Sequence, residues 1–150
     1  MIVTTDKEEY APGETVNVSI SLRRGKPTKA RGVVAVLYCD EMTKMSIERV
    51  MTDFERQQRR DLGMFADTHV KKETDYRHKI LHRQEKKVAG EGVFSTEDFQ
   101  VAFVLPANAP STDYHYGENN KITVWKLKVK LDIPLAPDLN VEKEIRVASG

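Results

Sequence analysis

The chain has 150 residues, with 24 lysines and arginines against 23 aspartates and glutamates and a net charge of +1 at pH 7. That balance supplies no overall field to draw it to nucleic acid, while a hydrophobic content of 39% suffices for one folded core under a solvated surface. The one cysteine, Cys39, excludes an intrachain disulfide; no apolar run is long enough to span a membrane, and Met1 to Asp6 lack a secretion leader's basic and apolar regions, so one cytoplasmic domain over residues 1–150 is expected.

Ile2 to Thr5 reads as a short first strand. A Pro12-Gly13 turn then leads into a second, Glu14 to Leu22, whose Val16, Val18, Ile20 and Leu22 face inward. Arg23 to Arg31, with Gly25 and Pro27, reads as a basic connection. Gly32 to Cys39 is a continuous apolar run, the pattern of a strand buried on both faces or crossing the middle of a sandwich. Within it Cys39 reads as a small hydrophobe.

Ile47, Val50, Met51 and Phe54 have helical spacing, and Gln57 to Arg60 are good helix formers. The expectation is a helix over about 43–61 ended by Gly63, with an extended excursion as the alternative. Met42, Met45, Met51 and Met64 suit an adaptable face that covers the core or meets a partner.

Asp75 to Val88 is dense in charge and reads as a long exposed edge strand, turned at Gly90-Glu91-Gly92. Phe99, Val101, Phe103 and Leu105 alternate up to Pro106, and Ala107 to Asn120 is a loop. Trp125, Leu127, Val129, Leu131, Ile133 and Leu135 form the cleanest period-two pattern, with lysines between them. Val141 to Val147 closes the chain. Many short strands between turn signals argue for an all-β fold, an antiparallel immunoglobulin-like sandwich.

Five segments resemble arrestin-like domains. Tyr10-Ala11-Pro12-Gly13-Glu14-Thr15-Val16 is similar to their opening turn and strand. Glu91-Gly92-Val93-Phe94 with Phe99 to Pro106, and Ala109-Pro110-Ser111 after it, resemble their proline-marked strand. Ile122 to Pro134, closing on Leu131-Asp132-Ile133-Pro134, resembles their long strand, and Glu144-Ile145-Arg146-Val147 the closing one. The motifs occur in the family's order over residues 2–40 and 91–147, nearest to the prokaryotic sporulation-control type. The resemblance implies a β-sandwich. Arrestins proper carry two, and this chain has length for one. Residues 41–90 match only loosely, and no phosphate-sensing set carries over.

Little in the sequence points to catalysis. His78 and His82 have H-x-x-x-H spacing, but no further ligands are placed to complete a zinc site, and two solvated histidines are the plainer reading. His115 and Asp113 share a polar loop without a nucleophile elbow, and Gly90-Glu91-Gly92 lacks the later glycine of a dinucleotide loop. No metal, cofactor or catalytic residue is therefore expected.

Two basic features remain. Arg23, Arg24, Lys26, Lys29 and Arg31 crowd one connection, while Lys126, Lys128 and Lys130 form a stripe on one strand. Either could hold an anionic peptide, phosphate or lipid head, although lysines also simply keep a sheet face soluble. No aromatic residues interleave with them as a nucleic-acid site would require. The expectation is a non-enzymatic adaptor or scaffold that binds a protein partner, such as a membrane protein's cytoplasmic tail, by edge-strand or loop contacts. Asp75 to Val88 and Ile2 to Thr5 are the expected edges, and a homodimer could form through one. A membrane-surface module is the alternative, with a small hydrolase using His115 and Asp113 as a third reading.

Overall fold

The computed structural model describes residues 1–63, 70–117 and 119–149, so Met64 and Phe65 lie outside the described residues. Its strands are β1 (Ile2–Thr5), β2 (Glu9–Tyr10), β3 (Thr15–Ala30), β4 (Gly32–Val50), β5 (Val70–Ala89), β6 (Gly92–Val104), β7 (Lys121–Asp132) and β8 (Leu139–Val147). A helix, α1 (Asp53–Asp61), lies between β4 and β5. Two sheets form, in the orders β1-β3-β6 and β2-β8-β7-β4-β5. The two-residue β2 pairs parallel to β8, and the other ladders are antiparallel.

Alternation explains the sandwich. Val16, Val18, Ile20 and Leu22 of β3 are buried, as are Leu127, Val129 and Leu131 of β7, while their sequence neighbours are not. Phe103, Leu37 and Ile145 join them in one core. Each fully buried large aliphatic contributes on the order of 1.5–3 kcal/mol before chain entropy is counted. Trp125 is fully buried, and its indole N–H donates to the Pro110 carbonyl at 2.7 Å, so the core's largest side chain leaves no polar atom unmet.

Gly13 opens β3 at a φ of +85°, a conformation an L side chain rarely adopts. The turn closes through the Glu14 N–H to the Ala11 carbonyl at 3.1 Å.

Four expectations need correction. The basic run Arg23 to Arg31 is largely strand: β3 continues to Ala30, its pairing with β6 breaking between Arg23 and Thr28 and resuming against Gly92 to Phe94. Pro27 lacks an N–H and falls within that irregularity, where no ladder bond is lost. The apolar run Gly32 to Cys39 is not buried on both faces: Val33, Ala35, Leu37 and Cys39 are buried, while Val34, Val36 and Tyr38 are half-exposed outside.

The helix is shorter than 43–61. Residues up to Val50 stay in β4 and pair with Val70 to Tyr76, because Met45, Ile47 and Arg49 alternate onto one half-buried face. Thr52 then caps α1 in a capping box with Glu55, and Gly63, at a φ of +73°, ends it as expected. α1 buries none of its residues and Phe54 is 70% exposed, so it does not cover the core. Finally, Leu135 is fully exposed at a positive φ of 56°, because β7 ends at Asp132, before Pro134.

Candidate functional site

The outer face of the five-stranded sheet is where side chains of different character meet. Because β4 alternates, Val34, Val36, Tyr38, Asp40 and Met42 point away from the core. Register aligns β7 beside them, with Val34 opposite Lys130, Val36 opposite Lys128 and Tyr38 opposite Lys126. On the other side β5 places Lys87, Glu85 and Arg83 opposite the same three residues. On the far side of β7, Glu144 and Glu142 stand opposite Lys126 and Lys128.

Two adjoining hollows result. The first, of about 310 Å³, has Val34, Val36 and Ile80 in its floor and Arg83, Lys128, Lys130 and Glu85 around them. The second, of about 230 Å³, lies over Met42, Ile122 and Val124 and is bordered by Asp40, His78, Lys126, Glu144 and Tyr114. Tyr114 is brought in from the 107–120 loop by a hydrogen bond from its hydroxyl to Glu144 at 3.1 Å.

The charges here are unevenly satisfied. Arg83 pairs with Glu85 at 3.3 Å and Lys130 with Asp138 at 3.5 Å. The Tyr38 hydroxyl donates to Glu142 at 3.2 Å, and burial together with that carboxylate pushes the phenol up to about 12. Lys126 and Lys128 form no ion pair among the described residues. In the second hollow His78 Nδ1 lies 2.8 Å from one Asp40 oxygen, while the other is buried without a hydrogen-bond partner.

The sheet's border adds a second feature. Among the described residues β5 pairs with β4 alone, leaving its other side open over residues 71–89. It carries seven lysines and arginines against three carboxylates. On the open side of the sandwich its inward residues reach the other sheet: Gln84 donates to the Val104 carbonyl at 2.7 Å, and Lys86 to that of Ala102. Those side chains occupy acceptors on the edge of β6. β1 borders the three-stranded sheet, but over only four residues.

The expected site residues are thus divided. Lys126, Lys128 and Lys130 share the outer face of β7. Arg23, Arg24, Lys26 and Lys29 lie on β3 in the other sheet, and Arg31 follows it. Arg23 pairs with Asp98 at 2.9 Å and Arg31 with Asp132 at 3.2 Å, while Arg24 donates to Thr28 Oγ1 at 2.6 Å. The structure does not gather the two basic sets into one patch. Sequence reading missed Arg83, Ile80 and Tyr38 as companions of the lysine stripe; the signal was the alternation of β4, hidden because both of its faces are apolar there.

His78 and His82 do not share a face. The ladder skips Leu81, so Ile80 pairs with Asp40 and His82 with Cys39. His78 therefore points outward and His82 inward, toward Trp125 at 5.7 Å between ring centres. His115 meets Asp113 only through its backbone N–H, at 2.9 Å. Among the described residues no group of three or more His, Cys, Asp or Glu could hold a metal ion, and no helix is long and apolar enough to cross a membrane.

Comparison with family models and with curated proteins finds no match. Among solved structures the chain is similar to Spo0M, a sporulation control protein from Bacillus subtilis, at a TM-score of 0.63 and 18% identity. The match covers 99% of this chain and 49% of that one, so the chain spans about half the length of its structural relative. A likeness at that identity speaks for the fold alone, and the fold it shows is the arrestin-like β-sandwich of a sporulation control protein.

Proposed function

We propose that this chain is a non-catalytic regulatory adaptor that takes up an extended segment of a protein partner along β5. The observation that carries the reading is the open, cationic border of the larger sheet: among the described residues, β5 over residues 71–89 is paired on one side only. Its unpaired backbone groups are a template for one more strand. Its excess of lysines and arginines favours an acidic segment, such as the cytoplasmic tail of a membrane protein. A second copy of this chain pairing β5 to β5 would set cations opposite cations, which disfavours a homodimer through this edge.

The likeness to a sporulation control protein supports a regulatory role rather than a catalytic one. The membrane-surface alternative draws less support, since Arg23 and Arg31 already hold carboxylates and the set is spread along a strand.

A photo-crosslinking side chain placed at Lys79 on β5, and separately at Ser19 on the outer face of β3, tests the reading in cells that make the protein. Protein adducts from position 79 and none from position 19 are expected. Adducts from neither site, or equally from both, would contradict it.

A further inference from the structure

We propose that the partner segment pairs with β5 over Thr74 to Ile80, that it sets two apolar residues against Tyr76 and Ile80, and that Lys79 holds an aspartate or glutamate lying between them. The inference rests on the adaptor reading and names the register and the chemistry the partner must carry.

Two features fix the register. The β4–β5 ladder skips Leu81, and a bulge of that kind bends an edge strand and interrupts further pairing. Past it, Gln84 and Lys86 reach across to the Val104 and Ala102 carbonyls of β6, so one face of β5 is closed by the other sheet. Before it, pairing with β4 is regular, and Tyr76 to Ile80 are all exposed.

The two faces of that stretch differ. Tyr76, His78 and Ile80 lie opposite Lys44, Met42 and Asp40 on the outer face, and Tyr76 and Ile80 are 50% and 51% exposed. His78, between them, lies 2.8 Å from Asp40. Apolar side chains directly opposite Tyr76 and Ile80 would cover both, and they stand four apart on the added strand whichever way it runs.

On the other face Asp75 holds Arg77 at 3.5 Å, and Lys71 and Glu73 belong to a network with Arg49. Among the described residues Lys79 is in no ion pair, because Glu41, opposite it across the ladder, lies 3.5 Å from Lys121. A carboxylate opposite Lys79 on the added strand would sit about one strand spacing, ~4.8 Å, from it and about two from Glu41, where salt largely screens the repulsion. A second copy fits less well: an antiparallel β5–β5 pair centred on His78 sets Arg77 opposite Lys79.

Display selection of random short peptides on the full chain tests this. Enriched peptides are expected to carry two residues among Val, Ile, Leu, Phe and Tyr four positions apart, with Asp or Glu between them and next to one. For such a peptide, Lys79→Glu should weaken binding about tenfold or more, and Lys79→Gln and Ile80→Thr about threefold each. Lys87→Glu, past the bulge, should change it less than about twofold. Should Lys79→Glu unfold, Lys79→Gln with an unchanged melting temperature decides. A neutral crosslinking side chain at position 79 loses only that threefold and still reports on the adaptor.

Enrichment of peptides without that acid or that spacing, Lys79 variants that bind as well as the parent, or an equal loss in Lys87→Glu would overturn the proposal. Dimerisation of the chain that releases the peptide would overturn it in favour of a second copy on the edge. Displacement by phosphatidylserine vesicles, but not by phosphatidylcholine vesicles, would overturn it in favour of a lipid surface. Peptides of another pattern that slow hydrogen exchange along β5 would remove this register and leave the adaptor standing. Peptides that slow it only elsewhere would remove the adaptor itself.

Discussion

The Tyr10 hydroxyl, on β2 of one sheet, donates to Asp6 Oδ1 at 2.6 Å, and the same carboxylate accepts the backbone N–H and side-chain amide of Asn17, on β3 of the other sheet, at 3.2 and 3.1 Å. Asp6 thereby ties the two sheets at one end of the sandwich. The Tyr10 and Asn17 hydrogen bonds hold its carboxyl down at about 2. A depressed carboxylate stabilises the fold fully above the ordinary carboxylate range, and that contribution is lost as pH falls through the folded value. Tyr10→Phe should cost about 1 kcal/mol at pH 7 by denaturant titration, since Asn17 still satisfies the acid. The deficit should shrink between about pH 4 and pH 2. A pH-independent deficit would contradict this account of the tie.

Gly32, where β4 begins, is set by close approach rather than by an unusual dihedral. A Cβ there would lie 2.6 Å from the Ala89 carbonyl oxygen of β5, well inside contact distance. Gly32→Ala is expected to cost about 1–3 kcal/mol. Gly25→Ala, whose Cβ meets nothing within 4 Å, should be near neutral in the same thermal melts.

Cys39 faces the core from the middle of β4 and is fully buried. Burial first, then the neighbouring Asp40 and Glu41 charges, push its thiol up to about 12. Iodoacetamide at pH 8 should leave the native protein unlabelled and modify it fully in guanidinium. Rapid labelling without denaturant would show that the interior is open to solvent.

At the far end of the β4–β5 ribbon, Arg49 holds Glu55 and Glu73 at 2.8 and 2.9 Å, and Lys71 approaches both. Hydrogen bonds from Arg49 keep Glu55 down at about 2 and lower Glu73. Since both shifts are downward, the network is complete at neutral pH and dissolves as pH falls through those lowered values. The protection of the α1 amides against hydrogen exchange, relative to the intrinsic rate at each pH, should fall below the ordinary carboxylate range, and Glu55→Gln should lower it at pH 7. Glu55 also closes the capping box, so Thr52→Ala should act in the same direction. Unchanged exchange in both variants would mean that these contacts do not hold the helix.

The legible parts of the fold were those where one face is dry and the other wet. β7 and the first half of β3 show this: every second residue is apolar, so the side chains alone fix strand and face. β4 was harder, because Val34 and Val36 make its outer face apolar too, and the hollow that results cannot be told from core by composition. Met45 and Ile47 are two apart, as a strand requires, yet Ile47, Val50, Met51 and Phe54 also satisfy helical spacing. Pairing with β5, Ile47 opposite Glu73 and Met45 opposite Asp75, decides between them, and no local pattern carries that. The opposite facing of His78 and His82 depends on one skipped residue in the ladder, which is equally silent in the sequence. The lysine stripe was visible; the aliphatic floor and Arg83 beside it needed the β4–β5 register.

Hydrogen–deuterium exchange of the chain, alone and with a partner identified by crosslinking, tests the central claim most directly. The account predicts slowed exchange along β5 and unchanged exchange in β1 and in β3 from Thr15 to Leu22. Slowing confined to β1 and β3, with β5 unaffected, would contradict it.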